Sequence, residues 1–154
     1  MSKAAVHIRV GEADFDVGAE TAAIQGHSRG IGGLASFIGV MRDFNEGSDV
    51  KGMLLEHYPG MTEKALAGIV DEATRRWALE GVTLIHRVGT LKPGDQIVLV
   101  LTAAAHRGEA FSACEFIMDY LKTRAPFWKK ELTVDGERWV DARLSDDEAA
   151  ERWR

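Results

Sequence analysis

Cysteine is almost missing from this chain: its 154 residues include one, Cys114. A single thiol rules out an internal disulfide, which fits a reducing cytoplasm. There is no membrane-length apolar run; the longest, Ile97 to Leu101 extended through Thr102 to Ala105, is far too short to span a bilayer. Met1 to Val10 lacks the pattern of a signal peptide, because Lys3, His7 and Arg9 interrupt it. Nor is there a basic excess. A formal net charge of -5 and a pI near 5.5 argue against a general nucleic-acid binder, which needs a broad positive face. A hydrophobic fraction of 45% and a charged fraction of 28% are ordinary for a globular protein, and the length suits one domain spanning 1–154.

Against that acidic background, Met118 to Lys130 is a positive island. Lys122, Arg124, Lys129 and Lys130 fall between Asp119 and Glu131 with no acid among them. Tyr120, Phe127 and Trp128 are interleaved, and Pro126 forces a change of chain direction. This pattern suits a partly enclosed pocket for a small anion better than an open polyanion-binding face.

The periodicities predict an α+β fold with a mainly antiparallel sheet, two principal helices and a C-terminal β-hairpin. Val6 to Val10, Leu34 to Met41, Met53 to Tyr58, Val82 to Val88 and Gln96 to Thr102 read as strands. Asp43 to Val50 has loop composition and is expected to be the most mobile segment. Thr62 to Trp77 reads as a helix with Leu66, Ile69, Val70, Ala73 and Trp77 on one stripe and Thr62 as its cap. A second helix, from about Glu109 to Thr123, is expected to bury Phe111, Cys114, Ile117, Met118 and Leu121. Pro126 ends it, because the preceding Ala125 is pushed off helical geometry. Asp135-Gly136 favours a two-residue hairpin turn, in a register that sets Lys130 opposite Asp141 and Trp128 opposite Arg143, with Lys129 on the other face. Ser145 to Arg154 reads as a charged, exposed helical tail.

Lys122 and Lys129 are the leading candidates for chemistry. A lysine in the last turn of a helix is ordinarily there because cations stabilise that end. Here a second lysine follows just past the proline, with Arg124 close by, so the turn can aim both ammonium groups into one space. Clustered cations raise the cost of charging one another, which suits one lysine to give up a proton or act as a nucleophile. His106 and Arg107 precede the second helix, where free backbone N–H groups favour anions. Arg42 lies at the end of a buried strand. Charge-assisted hydrogen bonds contribute about 1.5–3 kcal/mol each. Three of them roughly suffice to hold a phosphate ester at micromolar to millimolar affinity. Gly30, Gly32 and Gly33 lack the context of a phosphate-binding loop. His57, His86, Glu56 and Asp95 lack metal-ligand spacing. Cys114 falls on a buried stripe and reads as an inert core thiol.

With these residues assembled, the chain resembles the large, catalytic subunit of molybdopterin synthase. The resemblance rests on Leu55-Glu-His-Tyr-Pro-Gly-Met-Thr-Glu-Lys64, Ile85-His-Arg-Val-Gly89 and Ala105-His-Arg107, and above all on Phe116-Ile-Met-Asp-Tyr-Leu-Lys-Thr-Arg-Ala-Pro-Phe-Trp-Lys129. It covers nearly the whole chain, loosely over the first 30 residues. Gly39-Val-Met-Arg42 departs from the family's usual Gly-x-Val-Arg but keeps the arginine.

The resemblance implies a cytoplasmic sulfurtransferase of molybdenum cofactor biosynthesis. Its substrate would be cyclic pyranopterin monophosphate, converted to the dithiolene of molybdopterin. The sulfur would come from the C-terminal glycine thiocarboxylate of a small ubiquitin-like partner. It also implies a heterotetramer around a dimer of this chain, with the pocket completed across that dimer. No metal and no organic cofactor is implied, nor any nucleic acid or membrane. Carried over by motif, Lys122 and Lys129 are the catalytic pair. Val40, Met41, Arg42, His106, Arg107, Lys130, Glu131 and Arg143 are substrate contacts. Two rival readings remain open at this point: a persulfide carrier acting through Cys114, and a non-enzymatic adaptor that only docks a ubiquitin-like tail.

Overall fold

The computed structural model describes residues 4–45, 48–140 and 144–154. Its centre is a four-stranded sheet in the order β1 (Ala5–Gly11), β5 (Leu79–Arg87), β7 (Gln96–Ala104), β2 (Gly33–Val40). β1 and β5 are parallel; the other neighbours are antiparallel. Both faces are covered, which explains why β7 reads as a continuous apolar run. Side chains alternate across a strand. Val98, Val100 and Ala104 therefore meet helices α2 (Met61–Arg76) and α3 (Arg107–Arg124) on one face. Leu99, Leu101 and Ala103 meet α1 (Val17–Gln25), Phe15 and Ile24 on the other. The second sheet is built on the long strand β4 (Ser48–His57). One edge of β4 carries β3 (Phe44–Asn45) and β6 (Gly89–Leu91); the other pairs with β8 (Phe127–Thr133), which pairs in turn with β9 (Gly136–Val140). The fold is thus α+β and mainly antiparallel, with the expected two long helices and C-terminal hairpin. No helix among the described residues is long and apolar enough to cross a membrane.

Several local expectations are corrected. Asp43 to Val50 is not simply a loop: Phe44 pairs with Asp49 and Asn45 with Ser48, and Val50 N donates to Asp43 O. A polar composition does not prevent short antiparallel pairing on either side of this segment. Helix α1 carries little sequence signal, since among its residues only Ile24 is buried; Asp16 starts it by accepting from Ala19 N at 2.9 Å. On α3, Phe111 is exposed, and the core face runs through Ala110, Ala113, Cys114, Phe116, Ile117, Tyr120 and Leu121. Small alanines at the start of α3 bring its backbone against the sheet, where Thr102 Oγ1 donates to Ala110 O at 2.6 Å.

The start of α2 also differs, and the difference matters for the site. Gly60, at φ 87, is the capping position, and its N–H donates to Glu63 at 3.0 Å. Thr62 is instead fully buried; its hydroxyl accepts from Tyr58 N and donates to the carbonyl of Pro126 at 3.0 Å. The hairpin register is shifted as well. Thr133 pairs with Gly136, so the turn residues are Val134 and Asp135, and Lys130 lies opposite Trp139 rather than Asp141. Gly136 takes φ 117 just after the turn, and Thr133 Oγ1 closes it by accepting from Asp135 N and donating to Gly136 O. The slip preserves side-chain facing, so Lys129 and Lys130 still point to opposite sides. The partners expected at 141–143 lie outside the described residues.

The C-terminal tail is a packed element, not a free one. After α4 (Leu144–Glu151), Trp153 sets its ring edge-on to Trp77 at 5.6 Å and Phe116 at 5.7 Å, and its Nε1 donates to Asp119 at 2.6 Å. Arg152 bonds the same carboxylate at 2.9 Å and Glu115 at 2.8 Å. Trp153→Ala removes this aromatic anchor and leaves a void against α3. We expect a loss of about 3 kcal/mol. In a chain of this size that is a fall of roughly 10 °C in the midpoint of a thermal melt. An unchanged midpoint would show the tail to be dispensable to the fold.

Candidate functional site

Helix α3 delivers Lys122 in its last turn and stops at Arg124. Ala125 is extended (φ -84, ψ 133), as a residue before proline should be. The chain reverses through Pro126, whose carbonyl is held by buried Thr62, and re-emerges as β8 carrying Lys129. One helix end, one turn and one strand therefore set the two lysines beside the same space. That space is a cavity of about 500 Å³ whose wall includes Lys122, Lys129, Arg42, Glu131 and His86. Phe37, Val40, Met41 and Phe127 add apolar surface.

The Val40–Arg42 segment is pinned by its backbone. Met41 N donates to Asp95 O, and Gly94 N donates to Met41 O, both at 2.9 Å. Met41 is buried, while Val40 and Arg42 are exposed at the rim. Glu131 is buried in the wall, and its carboxylate is engaged by Arg138 at 2.8 and 2.9 Å. Asp146, from α4, also borders the cavity. Directly across the sheet from Lys129 are Leu55 and Val140, so neither cross-strand neighbour is an acid.

Other predicted site residues lie elsewhere. Lys130 turns to the opposite face of the hairpin, with its ammonium 4.6 Å from the Trp139 ring centroid and 3.4 Å from Glu137. His106 and Arg107 are exposed at the other end of α3. At 1.5 Å per residue, Arg107 is about 22 Å along the helix axis from Lys122. Within one chain they do not share the cavity with the lysines. Arg143 lies outside the described residues. Cys114 is buried against β7, with Sγ 4.0 Å from Val100 O, and burial pushes its thiol up to about 11. It does not line the cavity.

One cavity residue escaped sequence reasoning as a site residue. His86 shows no metal-ligand spacing in the sequence, yet it lies 5% exposed in the cavity wall. Its ring stacks on Phe127 with centroids 3.9 Å apart and planes 19° from parallel. Burial, then the nearby positive charge of Lys122, lowers its proton affinity to a pKa of about 4; a backbone hydrogen bond to Arg87 opposes the shift only in part. At neutral pH the imidazole is uncharged. The strand alternation that puts Val82 and Leu84 toward α2 and α3 also puts His86 there, and that signal was available.

Chemically, the site combines cationic side chains, a neutral imidazole and aromatic surface around a cavity in the size range of small-molecule sites. Comparisons with known proteins identify the family. Residues 10–124 match the family model described as "MoaE protein". The molybdopterin synthase catalytic subunit of Ralstonia nicotianae is 66% identical over 146 residues, covering 95% of this chain and 83% of that protein. The counterpart from Escherichia coli is 56% identical, covering 95% and 97%. Among solved structures, the molybdopterin biosynthesis MoaE protein from Burkholderia ambifaria superposes with a TM-score of 0.83 at 58% identity, covering 96% of this chain and 97% of that one. A family match over most of the chain, relatives this similar and a shared fold together place the chain in the MoaE family.

Proposed function

We propose that this chain is the catalytic subunit of a molybdopterin synthase. It transfers sulfur from the C-terminal thiocarboxylate of a small ubiquitin-like subunit to cyclic pyranopterin monophosphate, forming the dithiolene of molybdopterin. It does so as a single domain, in the cytoplasm, within a heterotetramer built on a dimer of this chain. The observation that carries this is the convergence of Lys122 and Lys129 on one cavity through the Pro126 turn, with Arg42 reaching it from the end of β2. A cyclic phosphate needs such donors when it opens, because negative charge develops on its oxygens. Lys122 or Lys129 moves a proton while the thiocarboxylate sulfur attacks the pterin side chain. His106 and Arg107 reach the substrate from the second copy, since within one chain they stand at the far end of α3. Val40, Met41 and Glu131 shape the cavity wall. Nothing in the scheme calls for a thiol, a metal or an organic cofactor from this chain.

The experiment uses the complex assembled with a small subunit whose thiocarboxylate carries heavy sulfur. Supplied with cyclic pyranopterin monophosphate, it should yield a dithiolene whose mass shows both sulfurs labelled. Cys114→Ala should give the same product at a rate within about twofold of the parent, because a buried, protonated thiol is a poor nucleophile. Loss of labelled product in Cys114→Ala would favour the persulfide carrier instead, and no product from the parent would defeat the proposal outright.

A further inference from the structure

We infer that His86 is the cavity's neutral hydrogen-bond acceptor, whose Nε2 receives an N–H or O–H donor of the heterocyclic substrate while Arg42, Lys122 and Lys129 take its phosphate. The inference rests on the sulfur-transfer reading above and names a residue that reads the substrate's uncharged part. The tautomer follows from the partner on the other ring nitrogen. Nδ1 lies 2.8 Å from the carbonyl oxygen of Arg87, which can only accept, so Nδ1 carries the hydrogen and Nε2 the lone pair. Nε2 has no hydrogen-bond partner among the described residues, although the side chain is 5% exposed and borders the cavity. The ring borders the cavity, so a bound molecule can supply the donor that Nε2 lacks among the described residues.

The ring is also held still. Phe127 stacks on it, and Phe127 belongs to the same turn that carries Lys122 and Lys129. The acceptor and the cations are therefore in fixed relation. No hydrogen bond joins His86 to Lys122, so the imidazole is not used up in orienting the lysine. Burial and the neighbouring charge of Lys122 keep the ring neutral at working pH, and a neutral ring can accept. Lysine and arginine only donate, and the other side-chain acceptors of the wall, Glu131 and Asp146, are carboxylates, so among the described residues His86 is the uncharged acceptor of the set. The acceptor adds discrimination for a ring system that bears N–H or O–H groups.

Two substitutions separate this role from a structural one. In His86→Asn the short amide still reaches the Arg87 carbonyl, but nothing acceptor-like remains at the position of Nε2. In His86→Gln the longer amide puts an acceptor back near that position. Steady-state kinetics on the assembled complex should show the KM for the cyclic substrate raised about 3- to 10-fold in His86→Asn, the range expected for one lost hydrogen bond, with kcat within about twofold. His86→Gln should restore most of the affinity, and the affinity for the small subunit should not change in either. If His86→Asn does not fold, His86→Phe, which keeps the ring stack but has no acceptor, takes its place. A KM unchanged in the acceptor-free variant, or one equally raised in His86→Gln, would overturn the assignment. Lys122→Ala in the same assay distinguishes the two levels. If it loses turnover while His86→Asn behaves as the parent, only the His86 assignment falls. If the parent complex itself makes no dithiolene, the sulfur-transfer reading fails and takes His86 with it.

Discussion

Replacing Lys122 with alanine should lower dithiolene formation by about 10²- to 10⁴-fold, the range for removing a positioned proton donor. Binding of the small subunit should stay within about twofold. The side chain is exposed in the single chain, and surface truncations of that kind usually change stability by less than about 0.5 kcal/mol. The thermal midpoint should therefore hardly move. Lys122→Arg sharpens the test. Arginine keeps the charge but does not release a proton at working pH, so it should retain substrate affinity without restoring turnover. An adaptor that only docks the partner's tail would behave differently: partner affinity and any apparent activity would fall together. Assays of binding and turnover on the same preparation read the two outcomes apart.

A comparably large effect is expected from mixing two inactive variants. Lys122→Ala and Arg107→Ala should each be nearly inactive alone. If Arg107 serves the cavity of the other copy, a mixed dimer has one site carrying both substitutions and one carrying neither. After subunit exchange, half of the dimers are mixed, so roughly a quarter of the sites become intact and activity returns to about that fraction of the parent's. If both residues serve the same chain's cavity, no mixture recovers anything. The prediction follows from the separation of about 22 Å along α3, which one chain cannot close with side chains alone. Turnover measured across a series of mixing ratios should peak at equal amounts.

How much of this was legible in the sequence depends on where the information sits. The Pro126 turn was readable because proline acts on its immediate neighbour, and Ala125 is extended as expected. The two-faced burial of β7 was readable as a continuous apolar run. Helix α1 was not, because a helix that buries little beyond Ile24 shows no stripe. The hairpin register was misread by favouring the Asp135-Gly136 pair, when the hydroxyl of Thr133 closes the turn one residue earlier. The stripe of α3 was misread through Phe111, a large apolar residue that faces outward while small alanines face the sheet. For the site, residues linked by the turn and by β2 came together: Lys122, Lys129, Arg42, Val40 and Met41 border one cavity. His106 and Arg107 share a helix with Lys122 but stand at its other end, a separation that the length of the predicted helix already implies. His86 was passed over because a lone histidine in a strand shows its meaning only through what packs against it.

The most direct measurement is a single-turnover reaction of the Lys122→Ala/Lys129→Ala double variant, saturated with thiocarboxylated partner and cyclic pyranopterin monophosphate. Dithiolene would be quantified by mass, and partner affinity determined on the same sample. We predict a yield at the level of a reaction without this chain, with partner affinity within about twofold of the parent, because the lost amines act on charge developing in the reaction. A parent-like yield from that variant would contradict the account.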